Sequence, residues 1–154
     1  MCASSVEHGP DVETRNKVAT TDILARKPGE GIASVTAYDY STAKLVDAAG
    51  VDVILVGDCL GMVMLGYPDT TRVTLDDMLH HTRAITRAQP CALVVAELPF
   101  LSYGVSTRDT VLSAGRLIRE AGAGAVTLEG GMRVRDDIRA RVDCQIPVMG
   151  HVLA

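Results

Sequence analysis

Asp58, Glu97, Glu129 and His151 share one setting: each follows a short apolar run, over residues 53–57, 92–96, 125–128 and 147–150 respectively. Runs of this kind suit strands buried on both faces, so each strand would deliver one ionisable side chain at its carboxyl end. Three carboxylates converging on one point repel one another unless a cation neutralises them, and hard oxygen ligands suit Mg²⁺. Such an ion would chelate a 2-oxo acid through its carboxylate and ketone oxygens and stabilise the enolate left on losing an α-proton. The pattern points to metal-dependent chemistry at a carbon–carbon bond. Each residue also has a plainer reading, since an acid after a buried strand serves as a helix N-cap or turn former, and His151 alone reads as a core or turn histidine.

Other reactive residues carry less. Cys59 has no evident base partner and reads as a small buried polar residue. His80 and His81 are adjacent within a helical pattern, so their rings diverge and a surface position is expected for both. Met62 and Met64 read as packing residues.

The elements that would position the acids alternate regularly. After a polar, aperiodic stretch over residues 1 to about 20, expected to be a mobile leader, a short helix over 21–27 is broken at Pro28 and Gly29. Strands are predicted over 33–37, 51–56, 91–96, 125–128 and 146–150. Helices are predicted over 41–49 with Ser41 as N-cap, over 75–88 behind a capping box of Thr74 and Asp77, from Ser106 or Thr107 to 121, and over 134–142. The segment 61–68 reads as a glycine-rich connection. Asp47-Ala-Ala-Gly-Val-Asp-Val-Ile-Leu-Val-Gly57 echoes Glu120-Ala-Gly-Ala-Gly-Ala-Val-Thr-Leu-Glu-Gly130, each running from helix end through glycine and strand to a final glycine beside an acid. The order βαβαβαβαβ implies an α/β protein with a parallel sheet and right-handed crossovers. Such a sheet is either open and doubly wound or curled into a (β/α)8 barrel, and both place function at the carboxyl ends of the strands. No GxGxxG follows the first strand, which weighs against a dinucleotide site.

At 154 residues with 47% hydrophobic content, the chain has the size of one domain and enough apolar surface for a core. A net charge of −4 with scattered arginines gives no basic footprint, so nucleic acid is not expected as a partner. No apolar run approaches the roughly 20 residues needed to span a bilayer, so no membrane association is expected. The four cysteines form no CxxC pair and no apolar signal region opens the chain, which suits reduced thiols in the cytoplasm.

Six segments occur together and in order: Thr36-Ala-Tyr-Asp-Tyr-Ser41, Val56-Gly-Asp-Cys-Leu-Gly-Met62, Val73-Thr-Leu-Asp-Asp-Met78, Glu97-Leu-Pro-Phe100, Leu128-Glu-Gly-Gly131 and Pro147-Val-Met-Gly-His151. Over residues 21 to 151 the chain resembles ketopantoate hydroxymethyltransferases. The resemblance implies a (β/α)8 TIM barrel of the phosphoenolpyruvate/pyruvate superfamily, of which about five βα units are present, with residues 21–154 as its N-terminal portion. It implies hydroxymethyl transfer from 5,10-methylenetetrahydrofolate as co-substrate to 3-methyl-2-oxobutanoate, giving 2-dehydropantoate for pantothenate biosynthesis. It also implies Mg²⁺ and a homo-oligomer, a decamer in the family. By motif position Asp58, Glu97 and Glu129 resemble the metal-binding acids, while Asp58, Cys59, Glu97, Thr127 and His151 resemble the substrate-binding set.

Three positions depart from the resemblance: Cys59, Glu97 and Thr127 stand where serine, aspartate and lysine are usual. Thr127 lacks the cation that would hold a substrate carboxylate. The resemblance further implies three more strands and a general-base glutamate beyond the histidine, so no catalytic base is assigned within residues 1–154 and low activity is expected of this chain. A non-catalytic relative, or another Mg²⁺-dependent 2-oxo acid lyase or transferase, remains an alternative.

Overall fold

The computed structural model describes residues 15–26 and 29–152. Five strands, β1 (Ser34–Thr36), β2 (Val53–Val56), β3 (Leu93–Glu97), β4 (Ala125–Glu129) and β5 (Val148–His151), form one sheet. They lie in the order β1-β2-β3-β4-β5, and every neighbouring pair is parallel. A doubly wound sheet reverses its strand order at one point. No reversal occurs among these strands, so the chain winds in the manner of a barrel.

The helices between the strands are α2 (Tyr40–Ala48), the short α3 (Leu60–Val63), α4 (Leu75–Arg87), α5 (Thr107–Arg119) and α6 (Arg135–Asp143), with α1 (Thr20–Ala25) preceding β1. Alternation along the strands divides the core in two. Ile54, Val56, Val94, Ala96, Val126 and Leu128 pack against Ala43, Met78, Leu79, Ile85, Ala114 and Leu117 of the helices. On the other face Val53, Leu93, Val95 and Ala125 cluster with Val18, Ile23 and Leu55. Each fully buried valine or leucine removed from water contributes roughly 1.5 to 3 kcal/mol.

Local chemistry sets the helix ends. Thr74 Oγ1 accepts the Asp77 N–H at 3.1 Å and the Thr74 N–H donates to Asp77 Oδ2 at 2.9 Å, the expected capping box of α4. Ser106 caps α5. For α2 the cap is Asp39 rather than Ser41: its carboxylate accepts the Thr42 N–H at 2.8 Å, because the helix begins two residues earlier than a Ser41 cap implies. Gly50 and Gly122 follow α2 and α5 at φ values of 85° and 76°, a conformation that favours glycine after a helix.

Of the leader expected over residues 1 to 20, residues 1–14 lie outside those described. Residues 15–20 are tied to the body. Lys17 Nζ donates to the Pro90 and Ala92 carbonyls at 2.6 and 3.1 Å, and the Val18 N–H donates to the Cys91 carbonyl at 2.7 Å. Carbonyls of the loop entering β3 give this stretch hydrogen-bond partners that composition alone does not reveal. Lys27 and Pro28, where the first helix was expected to break, also lie outside the described residues. No helix among the described residues is long and apolar enough to cross a membrane.

Candidate active site

The carboxyl ends of β2, β3, β4 and β5 converge because register carries them there. Val56 pairs with Ala96, Glu97 with Thr127, and Glu129 with His151. Thr127 and Glu129 are two residues apart on β4 and project from the same face.

Gly57, directly after β2, allows the first close approach. A Cβ there would meet Glu97 Oε2 at 3.1 Å. With only hydrogen at that position, Glu97 Oε2 accepts the Asp58 N–H at 3.0 Å, and Glu97 is 7% exposed. Burial pushes the Glu97 carboxyl above its usual range, and the charges of Asp58 and Glu129 add to the effect. Burial likewise raises Asp58, partly offset by a hydrogen bond from the Thr70 side chain.

Glu129 and His151 form the other half. His151 Nδ1 lies 3.1 Å from Glu129 Oε1, with both side chains a little under half exposed. Among the described residues, one donor atom each from Glu97, Glu129 and His151 falls within 4.8 Å of the other two. The Asp58 carboxylate stands beside this set rather than within it. Thr127 is 2% exposed, and its hydroxyl has no hydrogen-bond partner among the described residues. Cys59 is exposed at the start of α3, not buried as its sequence context suggests, and burial of its neighbourhood together with the Asp58 charge raises its thiol.

Two carboxylates, an imidazole and an orphaned buried hydroxyl fit a divalent cation with an oxygen ligand. Without a cation, the Glu129 charge adds to burial in raising both Asp58 and Glu97.

Several neighbours escape a sequence reading. Tyr38 follows β1 as the acids follow their strands, and its hydroxyl is raised first by burial and then by nearby Cys59, Glu97 and Asp58. The rule that finds the acids extends to it. Tyr103, in the loop before α5, is raised by burial and hydrogen-bonds to the Glu129 backbone; no periodic signal marks it. His81 is half-buried and anchored: its Nδ1–H donates to the Tyr38 carbonyl at 2.7 Å and fixes that loop, while His80 is exposed. Met62 and Met64 are exposed by 50% and 47%, so they pack less than expected, and α3 occupies part of the segment read as a connection.

The family profile described as Ketopantoate hydroxymethyltransferase matches residues 17–153. A 3-methyl-2-oxobutanoate hydroxymethyltransferase from Hyperthermus butylicus is 63% identical over 139 residues, which cover 90% of this chain and 48% of that protein. The chain spans about half the length of the curated relatives it matches. Among solved structures, 2,3-dimethylmalate lyase, a PEP mutase/isocitrate lyase superfamily member, superposes with a TM-score of 0.64 at 19% identity, covering 89% of this chain and 51% of its own. Phosphonopyruvate hydrolase, solved in complex with oxalate and Mg²⁺, gives 0.65 at 17% identity, covering 79% and 47%. These last two likenesses establish the fold.

Proposed function

Because the chain belongs to the ketopantoate hydroxymethyltransferase family, we propose that it carries the metal and substrate half of a site for hydroxymethyl transfer from 5,10-methylenetetrahydrofolate to 3-methyl-2-oxobutanoate. The product is 2-dehydropantoate, for pantothenate biosynthesis in the cytoplasm, and the working form is a homo-oligomer. One observation carries the reading. Acids from successive parallel strands meet His151 at one end of the sheet, and the Thr127 hydroxyl on the Glu129 face has no partner among the described residues.

Asp58, Glu97 and Glu129 are the acids to hold Mg²⁺. When bound, the ion supplies charge that draws electrons from the carbonyl and carboxylate oxygens of a 2-oxo acid. The chain's own part is positional. Glu97, fixed by the Asp58 N–H, and Glu129, braced by Tyr103 and His151, hold their carboxylates in place before any ligand arrives. Thr127 offers a buried hydroxyl to the ligand, Cys59 and His151 border it, and Asp58 lies at its edge. A hydroxyl at 127 offers a neutral hydrogen bond, so it contributes orientation rather than charge to a substrate carboxylate.

The test is binding of 3-methyl-2-oxobutanoate to the 154-residue chain, followed by ligand NMR with and without Mg²⁺. Mg²⁺-dependent broadening that disappears in Glu129→Gln is expected, alongside turnover close to background with 5,10-methylenetetrahydrofolate. Binding that ignores both Mg²⁺ and Glu129 would overturn the site. Thr127 favours a second reading, a lyase or transferase for another 2-oxo acid. Tighter Mg²⁺-dependent binding of a different 2-oxo acid in the same assay would select it.

A further inference from the structure

We propose that the exposed apolar ledge formed by α3 and the loop leaving β3 seats the folate co-substrate, a flat pterin and aminobenzoyl ring system with an anionic glutamate tail. This deepens the reading above and rests on it, since that reading names the co-substrate and gives it no place on the chain.

Met62, Val63, Met64 and Leu65 follow one another along α3 and its exit, and are 50%, 66%, 47% and 37% exposed. Phe100 and Leu101, shortly beyond Glu97, are 54% and 66% exposed. Strands β2 and β3 are neighbours, and the bond from the Asp58 N–H to Glu97 joins their carboxyl ends, so both apolar segments leave the sheet beside the acids. A stable surface does not leave four consecutive apolar side chains bare unless something covers them.

This exposure is not that of a loose loop. Leu60 is 0% exposed, and a Cβ at Gly61 would meet Val73 Cγ2 at 2.5 Å, so glycine is what lets α3 seat so closely. The Tyr67 N–H donates to the Gly61 carbonyl at 2.8 Å and folds the chain back onto the helix. The inner side of α3 is thus fixed to the body while its outer side stays open, a ledge formed before any ligand arrives. Leu101 holds a φ of 61°, which costs a leucine free energy.

The chemistry of the ledge selects its occupant. Thioether and branched aliphatic groups pack well on flat rings, and Phe100 adds an aromatic face. Because α3 starts at Cys59, directly after Asp58, a ring lying on it borders the acids without displacing a 2-oxo acid from them. Those acids repel an anionic tail. Arg72, exposed at the end of the 3-10 turn Thr70–Arg72 that packs on α3, offers the tail a cation.

The experiment is calorimetric titration of the 154-residue chain with 5-formyltetrahydrofolate, a stable reduced folate. Val63→Glu and Met64→Glu, both at exposed positions, should each weaken it by about tenfold or more. Melting temperature should hold, and Mg²⁺-dependent binding of 3-methyl-2-oxobutanoate should stay within about twofold. Arg72→Gln should weaken the folate about tenfold and leave its analogue without the glutamate unaffected. Unchanged folate affinity in both Glu variants, or equal losses for folate and 2-oxo acid, would overturn the ledge while leaving the metal and substrate reading in place. So would sedimentation showing the parent chain self-associated and the Glu variants dispersed, which would assign the ledge to a second copy. A parent chain that binds neither ligand would overturn both readings.

Discussion

Glu97 Oε2 accepts the Asp58 N–H at 3.0 Å, joining the end of β3 to the turn that leaves β2. The bond exists because Gly57 leaves room for it. In Gly57→Ala the new methyl would sit 3.1 Å from that oxygen, and the carboxylate would have to give way. Expected are a stability loss of about 1 kcal/mol, from a weakened charge-assisted bond, and a several-fold loss of divalent-ion affinity. Thermal melts and ion titration of the variant check both; unchanged values would show that Glu97 is positioned by β3 alone.

The metal-free chain should lose stability on both sides of an acidic optimum. Burial raises Glu97, so the folded state holds its proton more tightly than the unfolded one. Stability therefore falls as pH rises from the unfolded value of about 4.3 through the folded one. Asp52 acts in the opposite sense: the Ala33 N–H, with Arg26 at 2.7 Å, lowers it, and its stabilisation is present above about 3.9 and lost as pH falls through the folded value. Urea melts in chelator from about pH 3 to 8 should show Glu97→Gln flattening the alkaline limb and Asp52→Asn the acid one.

Replacing Arg141 should stabilise the chain. Its side chain is 0% exposed; Nε donates to the Asp137 carbonyl at 3.0 Å, while Nη1 and Nη2 have no partner among the described residues. A desolvated guanidinium with unsatisfied donors costs free energy that outweighs its attraction to Asp137, so Arg141→Met is expected to gain about 1 kcal/mol. A loss of similar size in denaturant melts would show that the charge is compensated within the folded chain.

Thr74→Ala removes one side of the α4 capping box and should cost about 1 kcal/mol. Asp77→Asn, which keeps an acceptor oxygen, should cost less. Equal costs by thermal melt would assign the effect to helix-dipole charge instead of the hydrogen bonds.

The strands were legible because a buried parallel strand writes itself as a continuous apolar run, and the acids because each run ends on one. Residues 53–56 and 125–128 illustrate this, as does the capping box at Thr74. Strand order was not legible: one sequence pattern serves a doubly wound sheet and a barrel, and pairing decides between them. In the site, strand alternation puts Thr127 on the face of Glu129, but it does not disclose that its hydroxyl lacks a partner. Nor could it show Asp58 turned toward Thr70 while Glu97 and Glu129 meet His151, since that choice depends on rotamers and on the room left by Gly57. His81 looked like a surface residue because its anchor, the Tyr38 carbonyl, belongs to a segment 43 positions away.

The unreversed strand order also fixes a sequence of events during synthesis. Each strand leaving the ribosome finds its neighbour already made and waiting at the growing edge of the sheet, so pairing can proceed in step with translation. The side chains of the site follow the same timetable. Glu97 and Glu129 emerge first, and His151 joins them once β5 has paired with β4.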